Sequence, residues 1–251
     1  MKIYGFQKTT LLDYPEHVAA TVFTGGCNFR CPYCQNAGLV LCGGQESAQA
    51  LAEIPREEVL AHLKKRHGVL DGVCITGGEP TLQPDLEEFI REVRDLGFQV
   101  KLDSNGYRPE VLRRLLEQEL LDYVAMDVKA CRGNYARAVG LEREKSDLRG
   151  GMPGGADFCL ERIEESIALL QGSGIPYEFR TTAVKGLHTV EEFGEIGEWL
   201  AGSRAYFIQS YRESGEILDG AGLAAFSTEE LCEMKRLAGR YIDRVELRGI
   251  E

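Results

Sequence analysis

Residues 17–34 have the sequence HVAATVFTGGCNFRCPYC, and this stretch decides the fold. Residues 17–24 form a β-branched, nearly continuous apolar run, which is typical of a strand buried on both faces. Two glycines end the run, and Cys27, Cys31 and Cys34 follow with the spacing C-x3-C-x2-C. The stretch therefore predicts a buried strand with a cysteine-rich loop at its carboxyl end.

The same alternation of strand and helix patterns continues along the chain. Five further strand-like runs lie at 72–76, 98–103, 123–128, 177–184 and 204–210. Amphipathic helical patterns lie at 55–66, 84–97, 109–119, 157–172, 190–201 and 227–241. Six strand–helix units predict an α/β fold with a parallel sheet, an incomplete (β/α)6 barrel in a single domain over 1–251. Functional groups should then follow the carboxyl ends of the strands.

Composition excludes several classes of function. The 251-residue chain has 29 basic and 40 acidic residues, and its formal net charge of -11 argues against broad binding to nucleic acid or to anionic membranes. No apolar run is long enough to cross a bilayer, and the first fifteen residues lack a secretory apolar segment. We therefore expect a cytoplasmic protein, in which a local cluster of cysteines indicates a metal site rather than disulfides.

Three thiolates on one short loop predict a metal centre with an open coordination position. An iron–sulfur cluster held by Cys27, Cys31 and Cys34 would leave one iron free for a substrate. The alternative is a structural zinc site, which requires a fourth ligand such as Cys42 or His17. The scattered cysteines are expected to be small buried apolar residues: Cys74, Cys131, Cys159 and Cys232.

Polar residues follow four of the later predicted strands or lie within them. The second run ends in Gly77, Gly78 and Glu79, a pattern that admits close backbone approach but also suits a simple tight turn. The other positions are Asp103 and Ser104, Asp127 and Lys129, and Arg180. An Asx turn and a solvated salt bridge are the structural alternatives for the two aspartates. Arg180, inside a strand, must be paired or face a polar interior.

These motifs resemble the radical S-adenosylmethionine (SAM) superfamily. The cysteine spacing, with Tyr33 before the last cysteine, carries the resemblance. Residues 5–8 and 11–15 (GFQK and LLDYP) resemble the activating proteins of glycyl radical enzymes, among them those that serve anaerobic ribonucleoside-triphosphate reductase. After the sixth strand, however, Arg212 stands where the pyruvate formate-lyase activators carry histidine.

The resemblance implies a site and its cofactors. Cys27, Cys31 and Cys34 would hold a 4Fe-4S cluster. Contacts to SAM would come from Tyr33, Gly77, Gly78, Glu79, Asp103, Ser104, Asp127, Lys129 and Arg180. The two aspartates would also bind a monovalent cation.

The resemblance also implies a reaction and partners. Reductive cleavage of SAM would generate a 5′-deoxyadenosyl radical, which abstracts hydrogen from a glycine Cα on a partner enzyme. The partners would be that glycyl radical enzyme and a one-electron donor such as flavodoxin or ferredoxin. A radical SAM enzyme acting on a small molecule or peptide is the alternative, and a zinc-stabilised binding module without catalysis is a remoter one.

One long connection interrupts the strand–helix pattern. Residues 129–156 end in a glycine-rich stretch, 150–155, and connections of this length are commonly functional or disordered. We expect this segment to cover the site or to dock the partner.

Overall fold

The computed structural model describes residues 1–42, 51–141, 158–213 and 217–250. Within these residues, eight strands form one sheet in chain order, with β1 antiparallel to β2 and every later pair parallel. The strands are β1 (Ile3–Thr10), β2 (Ala19–Thr24), β3 (Gly72–Gly77), β4 (Gln99–Ser104), β5 (Tyr123–Asp127), β6 (Tyr177–Ala183), β7 (Tyr206–Ser210) and β8 (Val245–Arg248).

Helices connect the parallel strands. They are α1 (Ala37–Val40), α2 (Arg56–Lys65), α3 (Leu86–Asp95), α4 (Pro109–Glu117), α5 (Tyr135–Ala138), α6 (Glu161–Gly172), α7 (Glu192–Trp199) and α8 (Thr228–Ala238). Short 3-10 turns follow β3 (Pro80–Leu82) and precede α5 (Arg132–Asn134). Each long helix buries one apolar stripe on the sheet, as α3 does with Leu86, Phe89, Ile90 and Val93.

The predicted incomplete barrel is confirmed. The six predicted strands correspond to β2–β7, and the sheet is open because β1 and β8 form its two edges. Neither edge strand was predicted from the sequence. Gln7 and Lys8 interrupt the apolar pattern of β1, and β8 is only four residues long. A strand whose apolar residues do not alternate, or one of only four residues, gives little periodic signal.

Alternate residues of each strand point into the barrel, and several of these side chains are polar or charged. At the amino-terminal end, Glu178 of β6 is 1% exposed. Its carboxylate accepts from Arg248 of β8 at 2.7 and 2.8 Å and from the Tyr123 hydroxyl of β5 at 2.9 Å. The Arg248 guanidinium also stacks 3.4 Å from the ring centroid of Phe207. These four side chains, of Tyr123, Glu178, Phe207 and Arg248, form the lower layer of the barrel interior. The lower layer links the edge strand β8 to the middle of the sheet.

The structure describes the first part of the long connection after β5. Residues 129–141 contain α5 and its preceding turn, with Tyr135, Ala138 and Val139 buried. The glycine-rich stretch 150–155 lies outside the described residues. In the part of the chain that the structure describes, no helix has the length and apolarity needed to cross a membrane.

We predict that Arg248→Met lowers the free energy of unfolding by about 2 kcal/mol, because it leaves the buried Glu178 carboxylate without its cationic partner. The loss is smaller than for a fully buried pair, since the Arg248 side chain is 35% exposed. Urea unfolding followed by circular dichroism measures the change.

Arg244→Met is the matched control. Arg244 faces the same Phe207 ring and pairs with Glu246, but its side chain is 62% exposed. We expect a change below about 0.5 kcal/mol, as for other exposed ion pairs. Equal losses in the two variants would contradict a structural role for the lower layer.

Candidate functional site

A cavity of about 410 Å³ lies at the carboxyl ends of the parallel strands. Every site residue predicted from the sequence lines it: Cys27, Cys31, Tyr33, Cys34, Gly77, Gly78, Glu79, Asp103, Ser104, Asp127, Lys129 and Arg180. Because these residues come from five strand ends and their loops, the cavity can hold one ligand across the open mouth of the barrel.

The cysteine loop is fixed by backbone and side-chain hydrogen bonds. The Arg30 guanidinium donates to the carbonyl oxygens of Cys27 and Phe29 at 2.7 and 2.9 Å. The Cys34 amide donates to the Cys31 carbonyl at 3.0 Å, which closes a tight turn. The Phe29 amide lies 3.4 Å from the Cys27 sulfur, in position to donate to a thiolate. The loop thus holds its thiols in place around the cavity.

Burial keeps the three thiols protonated when no metal is bound. It raises the pKa of Cys27 to about 12, with a further contribution from the Glu79 carboxylate, and the pKa of Cys31 to about 12. The pKa of Cys34 is also raised, again by burial. Metal coordination deprotonates such thiols, so this donor set suits a soft metal centre.

The geometry does not favour the zinc alternative. Among the described residues, no three His, Cys, Asp or Glu side chains lie close enough together to hold one metal ion. His17 faces Pro15 and Gln99 at the opposite end of the barrel, and the Cys42 thiol donates to the Gly38 carbonyl at 3.0 Å. Three separated thiols suit a multi-iron cluster, in which each cysteine binds its own iron.

The other cysteines follow the prediction only in part. Cys74 and Cys131 are buried, as expected. Cys159 is half-buried and Cys232 is exposed, so the expectation of burial is wrong for these two. The exposed position of Cys232 on α8 follows from its place on the polar face of that helix.

The glycine pair after β3 packs against the base of the cysteine loop. A Cβ on Gly77, where φ is +120°, would lie 2.4 Å from backbone atoms of Thr24, and one on Gly78 would lie 2.0 Å from the Gly26 carbonyl oxygen. The amides of Gly78 and Glu79 donate to the carbonyls of Thr24 and Gly26 at 2.8 Å. Glycine is therefore required here for backbone packing between two loops.

Glu79 joins the ends of β3 and β4. Its carboxylate is 1% exposed and accepts from the Thr81 amide and hydroxyl, the Ser104 hydroxyl and the Asn105 amide, at distances between 2.5 and 3.1 Å. Burial raises its pKa, and these hydrogen bonds oppose the shift. Both carboxylate oxygens of Glu79 therefore accept hydrogen bonds from the chain itself.

Two aspartates and two cations form another part of the cavity lining. Arg180 Nε lies 2.9 Å from Asp127 Oδ1 and its Nη1 lies 3.2 Å from Asp103 Oδ2, while Lys129 Nζ lies 3.0 Å from Asp127 Oδ2. Burial alone would raise the pKa of Asp127, but the charges of Arg180 and Lys129 outweigh it and lower that pKa. The pKa of Asp103 is lowered against burial by Arg180 and Lys101. All of these groups are therefore charged at neutral pH.

Several residues that were not predicted from the sequence also line the cavity or support its walls. Asp13, Asn36, Asn105, Thr182 and Gln209 also line it. Asn105 Nδ2 donates to Asn28 Oδ1 at 2.8 Å, which ties the β4 end to the cysteine loop. His188 Nδ1 accepts from the Val184 amide at 3.1 Å, so its Nε2 donates to the Lys129 carbonyl at 2.9 Å. Burial lowers the pKa of His188 and keeps it neutral in this role.

We predict that Asp127→Asn costs about 3 kcal/mol of unfolding free energy at pH 7, because Arg180 and Lys129 lose a buried counter-charge. The deficit should shrink as the pH falls. The folded state lowers the pKa of Asp127, so its stabilisation is complete above the unfolded value near 3.9 and declines below it, by up to about 1.4 kcal/mol per pH unit.

Urea titrations between pH 7 and pH 3 measure this deficit. Asp95→Asn, at an exposed position at the end of α3, is the control and should follow the wild-type pH profile. A deficit in Asp127→Asn that stays constant over the whole range would contradict the prediction.

Known proteins share this sequence pattern. A sequence model of the radical SAM superfamily matches residues 21–200. A protein of Methanocaldococcus jannaschii, provisionally named a glycyl-radical enzyme activating enzyme, is 30% identical over 250 residues, which cover 99% of this chain and 96% of that protein. A Thermococcus kodakarensis protein, provisionally named GTP 3′,8-cyclase, is 28% identical over 171 residues, covering 67% of this chain and 48% of that protein.

Solved structures share the fold. SuiB of Streptococcus suis superposes with a TM-score of 0.63 in its structure with the precursor peptide SuiA, and with 0.62 in its structure with S-adenosylmethionine. Identity is 13%, and the superpositions cover 92% and 91% of this chain but 48% and 49% of SuiB. The chain thus spans about half the length of SuiB, and the likeness shows the fold alone. Because the superfamily model covers residues 21–200, well over half of the sequence, the chain belongs to the radical SAM superfamily.

Proposed function

We propose that this chain is an activating enzyme, which reductively cleaves SAM and generates a glycyl radical on a partner enzyme, anaerobic ribonucleoside-triphosphate reductase. One observation carries the proposal: three thiols and a group of paired charges line a single cavity at the barrel mouth. Similarity to the M. jannaschii protein over 99% of the chain supports the activating role. The LLDYP segment at 11–15 supports the choice of partner.

The residues present fit a 4Fe-4S cluster held by Cys27, Cys31 and Cys34. The Tyr33 hydroxyl and Asn28 Nδ2 beside them are buried without a hydrogen-bond partner in the described part of the chain, so a bound group can satisfy them. When bound, the cluster supplies one electron to the sulfonium of SAM, whose C–S bond breaks to give methionine and the 5′-deoxyadenosyl radical that takes hydrogen from a glycine Cα. The protein supplies position and exclusion of water.

The cavity walls offer groups for each polar part of SAM. The backbone of Gly77 and Gly78, anchored by Glu79, faces the cavity beside the cysteine loop and suits the amino group. Lys129 and Arg180 are the cations that line the cavity, and they suit the carboxylate. Asp103 and Ser104, at the end of β4, suit hydroxyl groups of the ribose.

A monovalent cation does not fit this cavity. Each carboxylate oxygen of Asp103 and Asp127 already accepts from a cationic side chain. We therefore assign no dissolved ion to the aspartate pair.

The open sheet suits a macromolecular substrate. Within the described residues, the edge strands β1 and β8 do not pair with each other, so the sheet does not close around the mouth of the barrel. A loop of a partner protein can approach such a mouth without a deep tunnel. An electron donor such as flavodoxin or ferredoxin completes the proposed reaction.

We predict that replacing Cys27, Cys31 or Cys34 by alanine abolishes retention of the cluster, because each cysteine binds a different iron. After anaerobic reconstitution, iron and sulfide content should fall from about four per chain to near zero. Cys42→Ala is the control, since its thiol contacts the Gly38 carbonyl outside the cavity, and it should keep the cluster. Full SAM cleavage in any of the three loop variants would contradict the assignment.

The function itself is tested by low-temperature electron paramagnetic resonance. We expect that reduced, reconstituted protein with SAM produces a glycyl radical doublet on anaerobic ribonucleotide reductase. A reductase whose radical-bearing glycine is replaced by alanine is the control and should give no doublet.

The other outcomes are also informative. A cluster signal that changes with SAM, without a doublet on the reductase, would overturn the proposed partner. It would favour a small-molecule or peptide substrate, and the similarity to a cyclase supports the small-molecule case. The absence of any cluster signal would overturn the radical SAM function.

A further inference from the structure

Every carboxylate oxygen of the aspartate pair at the ends of β4 and β5 accepts from a cationic side chain. Asp103 accepts from Lys101 Nζ at one oxygen and from Arg180 at the other. Asp127 accepts from Arg180 at one oxygen and from Lys129 at the other. Three cations thus face two carboxylates, and the group carries a net charge of about +1 at neutral pH.

Lys101 differs from the other two cations. It is 2% exposed, and it does not line the cavity, whereas Lys129 and Arg180 do. It lies two residues before Asp103 on β4, so both side chains point into the barrel. Its ammonium group also contacts the Cys74 sulfur at 3.7 Å and lies 5.9 Å from the Tyr123 ring centroid. It therefore sits beneath Asp103, between the cavity and the lower layer.

This position makes Lys101 the permanent counter-charge of the pair. When Lys129 and Arg180 turn toward a ligand carboxylate, their pull on the aspartates weakens. Lys101 has no route to the ligand and stays on Asp103. An ammonium group is a compact point charge, comparable in kind to a potassium or ammonium ion. A further dissolved cation would face three positive groups at short range.

We propose that Lys101 is the resident monovalent cation of the Asp103–Asp127 pair, so that the protein binds its ligand without a dissolved one. The inference rests on the proposed function in one respect, namely that the pair contacts SAM. Lys101 is a positioning residue, because it acts on the ligand only through Asp103.

The test compares the wild type with Lys101→Met, because the methionine side chain is similar in length to that of lysine but carries no charge. Both are used as reconstituted holoprotein, in about 0.1 M potassium, ammonium or choline chloride, where general screening is equal. The first readout is the melting temperature without SAM. The second is the dissociation constant of radiolabelled SAM, measured by equilibrium dialysis.

For the wild type we expect the same melting temperature in all three salts, and SAM dissociation constants within about twofold. For Lys101→Met in choline we expect a melting temperature lower by about 3 °C or more and SAM binding about tenfold weaker. Potassium or ammonium should restore part of both losses in this variant, a response that a merely structural role would not give.

Two results would overturn the proposal: a cation-specific change in the wild type, or a Lys101→Met variant that responds equally to potassium and choline. Should Lys101→Met fail to fold, the double variant Lys101→Met/Asp103→Asn, which removes both charges, should fold and show no cation response. A response in the double variant would overturn the proposal.

The two readouts separate this inference from the proposed function. Wild-type holoprotein that fails to bind SAM would overturn the function. The salt series of melting temperatures would still decide whether Lys101 replaces a dissolved cation.

Discussion

Arg180 bridges the carboxylates of Asp103 and Asp127, and the arrangement of the site depends on this bridge. Its Nε and Nη1 atoms contact aspartates on β5 and β4, while its own backbone belongs to β6. Three neighbouring strands are therefore joined through one guanidinium inside the barrel. A planar group with several fixed donors can satisfy two carboxylates at once, which the single ammonium of a lysine cannot do with the same geometry.

A second link joins the other half of the site. The Glu79 carboxylate accepts from the Asn105 amide at the end of β4. The amides of Gly78 and Glu79 donate to the carbonyls of Thr24 and Gly26, where the cysteine loop begins after β2. The cysteine loop, the glycine turn and the β4 end are thus held by hydrogen bonds within the chain. Because these partners are already in place, little ordering is left for a ligand to impose. Such preorganisation lowers the cost of binding.

The sequence predicted the site better than it predicted the contacts within it. Polar residues at the ends of apolar strands are visible as a pattern, and the parallel sheet brings those ends together. Lys101 could have been found from its spacing of two from Asp103, since alternate strand residues share a face. The partners of Glu79 could not, because they depend on how two loops meet in space. The edge strand β8 was missed, since four residues carry too little pattern.

The charged groups inside the barrel also differ between its two ends. In the lower layer, the Glu178 carboxylate is matched by Arg248 and a tyrosine hydroxyl, so that layer is neutral. In the upper layer, Lys101, Lys129 and Arg180 pair with Asp103 and Asp127. Lys129 and Arg180 line the cavity together with the carboxylates of Asp13 and Glu79. Two buried cations therefore stand beside the cysteine loop of a protein whose net charge is -11. An anionic group that enters the cavity can pair with these two cations at the end of the barrel where the thiols lie.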